Sequence, residues 1–411
     1  MHIALIMPQS PYLENDLAYP PMGLLYLGAI IEKMGHTVEI VELGGNINWK
    51  KYLETLDADL FGIQMVTPNF GTCKEIINIL KKNNPYKPII LGGAHPSFLP
   101  EDCLMNTRCD AVVTGEGEVI IEKIINEVLS SGLQRRIYNG GLVPIAAIPK
   151  PARHLVDLHK YTPGGEKTTT VYTSRGCPYN CAFCSRVTGR TYREFPIGRV
   201  KDEVIEVTQN YGFKHVLFGD DNISIHQERV KEISRAIEHL DISFRLNVDT
   251  RTLNEETCKI AAGAGCTEIS FGIESGSDRI LQLMNKGTTA KKNAEFVKRV
   301  QKEDILAKAY FIVNFPGENE ESVLETLKWA EEARPDKWLL SAFVPLPGSL
   351  TYSHPERFGI TWISSNWDDY YLAAKGGSFK PCFKALDLDF EQQIYLHDLM
   401  FDGLVSILGK C

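Results

Sequence analysis

The stretch RGCPYNCAFCS, residues 175–185, carries three cysteines: Cys177, Cys181 and Cys184. They are three and then two residues apart, in a glycine- and proline-flanked segment typical of a loop. A structural zinc ion takes four ligands, usually as two separated pairs, and a disulfide would leave one thiol over. A [4Fe–4S] cluster held by three thiolates keeps one iron open for a further molecule. The spacing therefore predicts an iron–sulfur cluster with an open iron.

The composition limits the class of protein. The chain has 411 residues, 44% of them hydrophobic and 23% charged, with a formal net charge of −8. This length predicts two or three domains, and the negative charge predicts no nucleic-acid partner and no binding to an anionic membrane. Ten cysteines are too few for a disulfide scaffold of this length, and the sequence shows neither a signal peptide nor a membrane-spanning run. We expect a soluble cytoplasmic protein with reduced thiols.

The elements that must position a site fall into two series. Within residues 1–145, five apolar strand runs such as HIALIMP alternate with helical patterns such as MGLLYLGAIIEKMG. Near-continuous apolar strands predict a parallel sheet covered by helices on both faces, an α/β doubly wound domain of Rossmann or flavodoxin type. Such a sheet binds ligands at the carboxyl ends of its strands. The first turn has no GxGxxG, so a dinucleotide is not the favoured ligand.

The second series follows a proline-rich segment, residues 146–167, which we predict to be a linker. Six further β-α units over residues 168–348 have polar or glycine-rich strand ends. They predict a partial (β/α)6 barrel with its active site at the carboxyl ends of the strands. The cysteine loop leaves the first of these strands. Residues 349–411 predict a short helical cap.

The cysteine spacing, with Phe183 before the last cysteine, resembles the CxxxCxxC signature of radical S-adenosylmethionine (SAM) enzymes. The segments FGDDNIS, FGIESGSDRILQLMNKG, FIVNFPGENEES and FVPLPGSLTY resemble that family's strand ends, in the same order. YPPMGLLYLGAIIEKMGHTVEIVE, GGAHPSF and VVTGEGE resemble the cobalamin-binding domain that precedes one large radical SAM subfamily. The resemblance covers about residues 1–350.

The resemblance implies that SAM binds the open iron and is cleaved by an electron from the cluster to a 5′-deoxyadenosyl radical. Asp220 and Asp221 follow the second barrel strand, where the family contacts the methionine amine, and a carboxylate pairs with an ammonium. A strand-end turn is their alternative role. Glu274 ends the fourth strand and is a candidate acceptor for the ribose hydroxyls.

Three further residues are candidates for holding SAM. Arg245 and Arg251 bracket the third barrel strand and are implied to bind the SAM carboxylate, with structural ion pairs as the alternative. Gly317, in NFPGE, allows close backbone approach, here to adenine.

The resemblance also implies a cobalamin site. Gly92, Gly93 and Gly115, with Glu116 beside them, stand at strand ends where a flat macrocycle needs an unobstructed backbone. The DxHxxG loop, whose histidine ligates cobalt in cobalamin-dependent mutases, is absent, so we expect no protein histidine on cobalt. His95 is a candidate for approaching the corrin, with helix capping or packing as its alternative. For the whole domain, the alternative is a scaffold without cofactor.

The C-terminal region holds two tryptophans and two adjacent tyrosines, and we predict that Trp362, Trp367, Tyr370 and Tyr371 form a wall against an apolar or planar substrate. The alternative is a plain helical cap. The short tail favours a small-molecule substrate, which the sequence does not name.

Together these features favour a cobalamin-dependent radical SAM enzyme that methylates an unactivated carbon and receives electrons from a donor such as flavodoxin or ferredoxin. A rearrangement or cyclisation without methyl transfer, using the same cofactors, is one alternative. A non-catalytic iron–sulfur protein for electron transfer or sensing is another.

Overall fold

A computed structural model of the chain describes residues 1–10, 15–46, 48–161, 167–371 and 379–410. The chain divides into two compact units. The first unit consists of Met1–Glu166, Arg186–Thr188 and Asn366–Tyr370, and the second of Lys167–Ser185, Gly189–Ser365 and Tyr371–Cys411.

The first unit contains a six-stranded parallel sheet in the order β2-β1-β3-β4-β5-β6. This confirms the predicted doubly wound fold. Its elements are β1 (His2–Met7), α1 (Met22–Lys33), β2 (Thr37–Glu42), α2 (Trp49–Thr55), β3 (Leu60–Gln64), α3 (Phe70–Asn83), β4 (Ile89–Gly92), α4 (Ala94–Phe98), α5 (Pro100–Asn106), β5 (Ala111–Gly115), α6 (Ile121–Ser130) and β6 (Ile137–Gly141).

Alternating side chains of β1 show why this sheet is covered on both faces. Ala4 and Ile6 belong to a core that includes residues of α2, α3 and α5. Ile3 and Leu5 belong to a second core with residues of α1 and α6. Because successive strand residues point to opposite faces, a strand buried on both sides must be apolar throughout.

The strand order reverses at β1, which lies between β2 and β3. The chain passes from β1 to β2 on one side and then to β3 on the other. In doubly wound sheets the ligand lies in the crevice at this switch point, beyond the carboxyl ends of the strands. The loops that follow β1 and β3 therefore border the expected ligand site of the first unit.

The predicted linker, residues 146–167, is grouped with the first unit up to Glu166. The backbone N–H of Ala152 donates to the carbonyl of Leu25 in α1 at 3.0 Å. The buried Tyr161 donates its hydroxyl to Glu42 at the end of β2. The described part of this segment is thus attached to the first sheet and its helices.

The second unit contains six parallel strands in the order β14-β13-β12-β11-β10-β7, which confirms the predicted six-unit α/β architecture. Two small antiparallel pairs, β8-β9 and β15-β16, accompany it. Its elements are β7 (Thr168–Val171), β8 (Ser174–Arg175), β9 (Arg193–Glu194), α7 (Ile197–Ile205), β10 (His215–Phe218), α8 (Gln227–Ile237), β11 (Ser243–Val248), α9 (Glu255–Gly263), β12 (Cys266–Glu274), α10 (Asp278–Leu283), α11 (Ala290–Gln301), β13 (Leu306–Val313), α12 (Glu320–Ala333), β14 (Lys337–Ala342), α13 (Leu350–Ser353), β15 (Ile360–Ile363), β16 (Phe383–Ala385) and α14 (Phe390–Leu408).

The two faces of the second sheet differ in polarity. Phe311 of β13 packs against Trp329 of α12, so that face meets the helices. Lys308 and Tyr310, which alternate with it along β13, are half-buried on the opposite face. This opposite face therefore carries the polar side chains of the partial barrel.

The predicted helical cap contains the long helix α14, which packs against α12, together with the β15-β16 pair. Among the described residues, no helix combines the length and the apolarity that crossing a membrane needs.

Candidate functional site

The cysteine loop begins after β8 and is held by backbone hydrogen bonds. Cys177 N–H donates to the carbonyl of Gly189 at 3.3 Å, and Ala182 N–H donates to the carbonyl of Met284 at 2.8 Å. Gly176 enters the loop with φ of +85°, and a Cβ there would lie 2.3 Å from the carbonyl oxygen of Thr191. Only glycine fits this entry, because the backbone is left-handed and closely packed.

The three thiols differ in exposure. Cys181 is 7% exposed, whereas Cys177 and Cys184 are half-buried. Among the described residues, no group of three or more His, Cys, Asp or Glu side chains is arranged to hold a single metal ion. In a [4Fe–4S] cluster each thiolate binds its own iron, so cluster ligands stand further apart than the ligands of one ion.

Arg251, which lies just after the end of β11, contacts the cysteine loop, and we call this contact the clamp. Its guanidinium lies 3.8 Å from the ring centroid of Tyr179, which stands between the first two cysteines. Two hydrogen bonds, of 2.7 and 2.8 Å, fix the guanidinium on the carboxylate of Asp249. Asn285 Nδ2 adds a 2.7 Å hydrogen bond to the carbonyl of Asn180. The loop is thus held by a planar cation that is itself oriented by a carboxylate.

Lys286 supplies a second cation beside the loop. Its Nζ lies 2.6 Å from Glu274 Oε1, and it stands 6.0 Å from the ring centroid of Phe183. Burial disfavours the charged ammonium, but the charges of Glu274, Asp249 and Cys181 outweigh burial and raise the pKa of Lys286. Two fixed cations next to three cysteines fit a thiolate-bound cluster, which carries negative charge.

The two aspartates after β10 differ in their surroundings. Asp220 is 2% exposed and accepts hydrogen bonds from the backbone N–H and the hydroxyl of Thr173, both at 3.0 Å, and from Ser174 Oγ. Burial raises the pKa of Asp220 to about 6, and these hydrogen bonds partly oppose the shift. Asp220 therefore fixes the strand-end turn that was its alternative role. Asp221 is exposed, and its contact with SAM stays a prediction.

The two predicted SAM-binding arginines both have carboxylate partners. Arg245 lies three residues before the end of β11, with Nη1 4.0 Å from Glu268 Oε1. Arg251 is bound to Asp249. These are the ion pairs that formed their alternative role, and binding of the SAM carboxylate stays a prediction.

Glu274 ends β12, and Gly317 lies in the turn that follows the neighbouring strand β13. Glu274, with φ of +62°, is buried at the end of β12, where Lys286 binds its Oε1. Gly317 has φ of +90° in the turn after β13, and its carbonyl accepts a 2.7 Å hydrogen bond from Arg279. Both residues thus stand at the carboxyl edge of the sheet, as expected.

Sequence reasoning did not single out Tyr179, Asp249 or Lys286. Tyr179 and Lys286 lie within the motifs RGCPYNCAFCS and QLMNKG, but nothing local indicates that each meets a residue from another strand end. A lysine that is 7% exposed needs a charged partner, and the burial of Lys286 appears only in the folded chain.

The glycines of the predicted cobalamin floor divide into two kinds. A Cβ on Gly92 would meet nothing within 4 Å. Gly93 has φ of +111°, and a Cβ added there would lie 2.5 Å from the carbonyl oxygen of Met65. Gly115 has φ of +73°, and a Cβ added there would lie 2.9 Å from the carbonyl oxygen of Gly141. The backbone itself requires Gly93 and Gly115, so only Gly92 of the three offers open space to a flat ligand.

Glu116 and His95 are also engaged within the first unit. Glu116 is 5% exposed, and its Oε2 accepts a 2.6 Å hydrogen bond from Val143 N–H. His95 is fully buried, with Nδ1 3.2 Å from Thr67 Oγ1 and Nε2 3.5 Å from Asp102 Oδ2. Burial lowers the pKa of His95, although Asp102 opposes the shift. His95 thus makes the packing contacts of its alternative role, and its approach to the corrin stays a prediction.

The four aromatic residues of the predicted substrate wall are divided between the units. Trp362 is 46% exposed and belongs to the second unit, where it packs against Phe390 with ring centroids 5.6 Å apart. Trp367 and Tyr370 belong to the first unit, with centroids 4.9 Å apart. Tyr371 is grouped with the second unit. These contacts lie within the separate units, and the substrate wall stays a prediction.

Comparison with known proteins matches both units to families. Residues 171–330 match the radical SAM superfamily, and residues 15–125 match the B12 binding domain. An uncharacterized methyltransferase of Pyrococcus horikoshii is 31% identical over 376 residues, which cover 85% of this chain and 81% of the relative. The bacteriochlorophyllide d C-8(2)-methyltransferase of Chlorobaculum tepidum is 25% identical, over 90% and 84% of the two chains.

A solved structure shares the fold. It is the radical SAM methyltransferase TsrM from Kitasatospora setae with tryptophan substrate and a SAM analogue bound, matched with a TM-score of 0.76 and 17% identity over 99% of this chain and 90% of that one. The resemblance inferred from the cysteine loop and the strand ends is thus found again over both units. The chain belongs to the family of cobalamin-dependent radical SAM methyltransferases, whose cofactors are a [4Fe–4S] cluster, SAM and cobalamin.

Proposed function

We propose that this enzyme transfers a methyl group from SAM, by way of cobalamin, to an unactivated carbon of a small molecule. The observation that carries the proposal is the presence in one chain of a three-cysteine loop beside two fixed cations and a doubly wound sheet with an open strand end at Gly92. When bound, the cluster and SAM supply radical chemistry and cobalamin supplies the methyl carrier.

On this proposal, Cys177, Cys181 and Cys184 hold the cluster, while Arg251 and Lys286 hold the loop that carries them. These contacts support the proposal because a cluster ligand loop must keep its shape when the metal is loaded. Arg251 contacts Tyr179 in the middle of the CxxxC segment, and the backbone N–H of Ala182, just after Cys181, donates to the carbonyl of Met284.

SAM would lie over the carboxyl ends of β10 to β13. Asp221 is the exposed carboxylate of the GDD turn, and we propose that it binds the methionine ammonium. Asp220 is buried, where it accepts hydrogen bonds from Thr173 and Ser174. Lys286 holds Glu274 through Oε1, and we propose that Oε2 accepts a ribose hydroxyl. The backbone at Gly317 would approach adenine.

The substrate class follows from the exposed apolar side chains and from the relatives. Leu339 of β14 is 41% exposed, and Tyr310 of β13 is half-buried on the face of the second sheet away from the helices. One relative is named for a bacteriochlorophyllide, and TsrM holds tryptophan, and both of these molecules contain a planar ring system. We propose a small substrate with a planar or apolar part.

The cysteines favour a reducing compartment. A thiolate-bound cluster needs Cys177, Cys181 and Cys184 in their reduced form, so we propose that the enzyme works in the cytoplasm. Cleavage of SAM requires one electron from outside the chain. A small carrier such as flavodoxin or ferredoxin is the proposed donor.

Product counting tests the function. The reconstituted enzyme is incubated anaerobically with dithionite, hydroxocobalamin, methyl-labelled SAM and fractionated small molecules from cells. Methyl transfer predicts S-adenosylhomocysteine and 5′-deoxyadenosine together, with label in a substrate fraction. Deoxyadenosine alone would indicate a rearrangement or cyclisation, and neither product would indicate a non-catalytic iron–sulfur protein. The variant with Cys177, Cys181 and Cys184 replaced by alanine is the blank.

A further inference from the structure

The segment Asn366–Tyr370, with sequence NWDDY, is grouped with the first unit, although the residues before and after it belong to the second. We call this segment the strap. Sequence reasoning placed two of its aromatic residues in a substrate wall. Its contacts indicate another role.

Trp367 anchors the strap on His95. The ring centroids of Trp367 and His95 are 4.8 Å apart in an edge-to-face arrangement, and that of Phe70 is 6.5 Å from the indole. Trp367 Nε1 donates a 3.0 Å hydrogen bond to Asp102 Oδ2, the same oxygen that lies 3.5 Å from His95 Nε2. The indole of Trp367 is thus fixed both by packing and by a hydrogen bond from its N–H, which together define one position for the ring.

Asp368 makes the second contact, at the start of α3. Its Oδ1 accepts a 3.1 Å hydrogen bond from the backbone N–H of Gly71, one of the first N–H groups of this 14-residue helix. A carboxylate is stabilising there because it satisfies a free donor and meets the positive end of the helix dipole. A Cβ on Gly71 would lie 2.5 Å from Asp368 Oδ2, so glycine permits this close approach.

These two contacts bracket the loop that joins β3 to α3. On one side, His95 holds the loop through its Nδ1, 3.2 Å from Thr67 Oγ1, and through its N–H, 3.4 Å from the carbonyl oxygen of Met65. On the other side, Asp368 holds Gly71, just after the loop. This loop borders the switch point between β1 and β3, where a doubly wound sheet binds its ligand.

We propose that Trp367 and Asp368 are positioning residues of the cobalamin site: the strap fixes the β3–α3 loop that borders the corrin and keeps His95 buried. The proposal rests on cobalamin binding to the first unit. It removes Trp367 from the substrate wall and gives this part of the C-terminal region a role in cofactor affinity. It also explains why a histidine at the end of a cobalamin-domain strand is enclosed by aromatic rings.

The test compares W367A, W367F and D368N with the wild type and with W362A, which changes the exposed tryptophan of the second unit. Hydroxocobalamin affinity is measured by visible-absorption titration, and iron content is measured on the same samples. We expect W367A and D368N to raise the dissociation constant about tenfold, which corresponds to about 1.4 kcal/mol. W367F, which keeps a ring but loses the donor, should fall between W367A and the wild type. W362A should match the wild type, and iron content should stay unchanged throughout.

A second readout does not require cobalamin. Carbethoxylation of His95 by diethylpyrocarbonate, followed by peptide mass spectrometry, reports whether the ring is covered. We expect His95 to be protected in the wild type and W362A and modified faster in W367A. Wild-type affinity together with unchanged protection in W367A would overturn the strap proposal while cobalamin binding stands. Absence of cobalamin binding in the wild type would overturn the cofactor assignment, and the strap's role with it.

Discussion

Lys286 and Glu274 form an ion pair with 2.6 Å between Nζ and Oε1, and their side chains are only 8% and 7% exposed. Removing either partner leaves the other as a buried charge that has lost its hydrogen-bonded counter-ion. We expect K286M or E274Q to lower the free energy of unfolding by about 3–5 kcal/mol, measured by chemical denaturation. The double variant should recover part of this loss.

The exposed pair of Lys302 and Glu255 is a matched control, with side chains 65% and 58% exposed. K302M should change stability little, because an exposed pair is screened by water and salt. Equal stability of K286M and K302M would contradict the importance of the buried pair.

Replacing Cys177, Cys181 and Cys184 together by alanine should abolish the iron–sulfur cluster, because no thiolates remain in the loop. Iron content and visible absorbance after anaerobic reconstitution measure the loss. Cys258→Ala, which alters a buried thiol of α9, is the control and should keep the cluster. An unchanged iron content in the triple variant would refute the site.

The contact between Arg251 and Tyr179 should stabilise the loaded loop. Cation–π contacts contribute about 0.5–2 kcal/mol, so Y179A should lose iron to a chelator several times faster than the wild type. Y179F retains the ring face and should behave like the wild type. The rate of iron transfer to the chelator is the measurement, and equal rates in Y179A and Y179F would rule out the clamp.

The adjacent glycines Gly92 and Gly93 should respond differently to alanine. Gly93 has φ of +111° and no room beside Met65, so G93A should cost at least about 1–2 kcal/mol of folding stability. Gly92 faces open space, so G92A should leave stability within about 0.5 kcal/mol of the wild type. If the corrin lies there, G92A should weaken hydroxocobalamin binding. Unaltered affinity in a stable G92A protein would move the corrin away from this strand end.

Glu318 predicts a pH dependence of stability. It is 1% exposed, and burial raises its pKa from 4.5 to about 8, although hydrogen bonds from the backbone of Asn314 and Phe315 oppose the shift. Between these values the folded protein holds a proton that the unfolded chain has lost. The contribution of the protonated Glu318 to the free energy of unfolding is therefore complete below pH 4.5 and is lost as the pH rises towards 8.

E318Q keeps an acceptor for Asn314 N–H but does not titrate. Between about pH 6.5 and about pH 9, the free energy of unfolding in urea should decline less for E318Q than for the wild type, because glutamine has no carboxyl group to titrate. This range begins above the pKa of Asp220, which is about 6. Identical slopes would show that Glu318 is not the group responsible.

The sequence alone determined the features that depend on neighbours along the chain. Three cysteines at fixed spacing lie in one loop, and alternating apolar runs predict strands and helices whose order gives both parallel sheets. The strand β6 was not predicted from the sequence. Its five residues, IYNGG, form an edge strand with two glycines and alternating burial, so they lack the continuous apolar run of the inner strands.

Only the tertiary structure decided which residues from distant strand ends meet. It paired Arg251 with Tyr179, Lys286 with Glu274 and Trp367 with His95. It also showed that the backbone of Gly93 packs so closely against that of Met65 that no Cβ fits there, whereas Gly92 faces open space. Spacing and periodicity can be read from the sequence, whereas burial and long-range contacts arise only when the whole core packs. A local motif can therefore indicate a site without indicating which distant residues contact it.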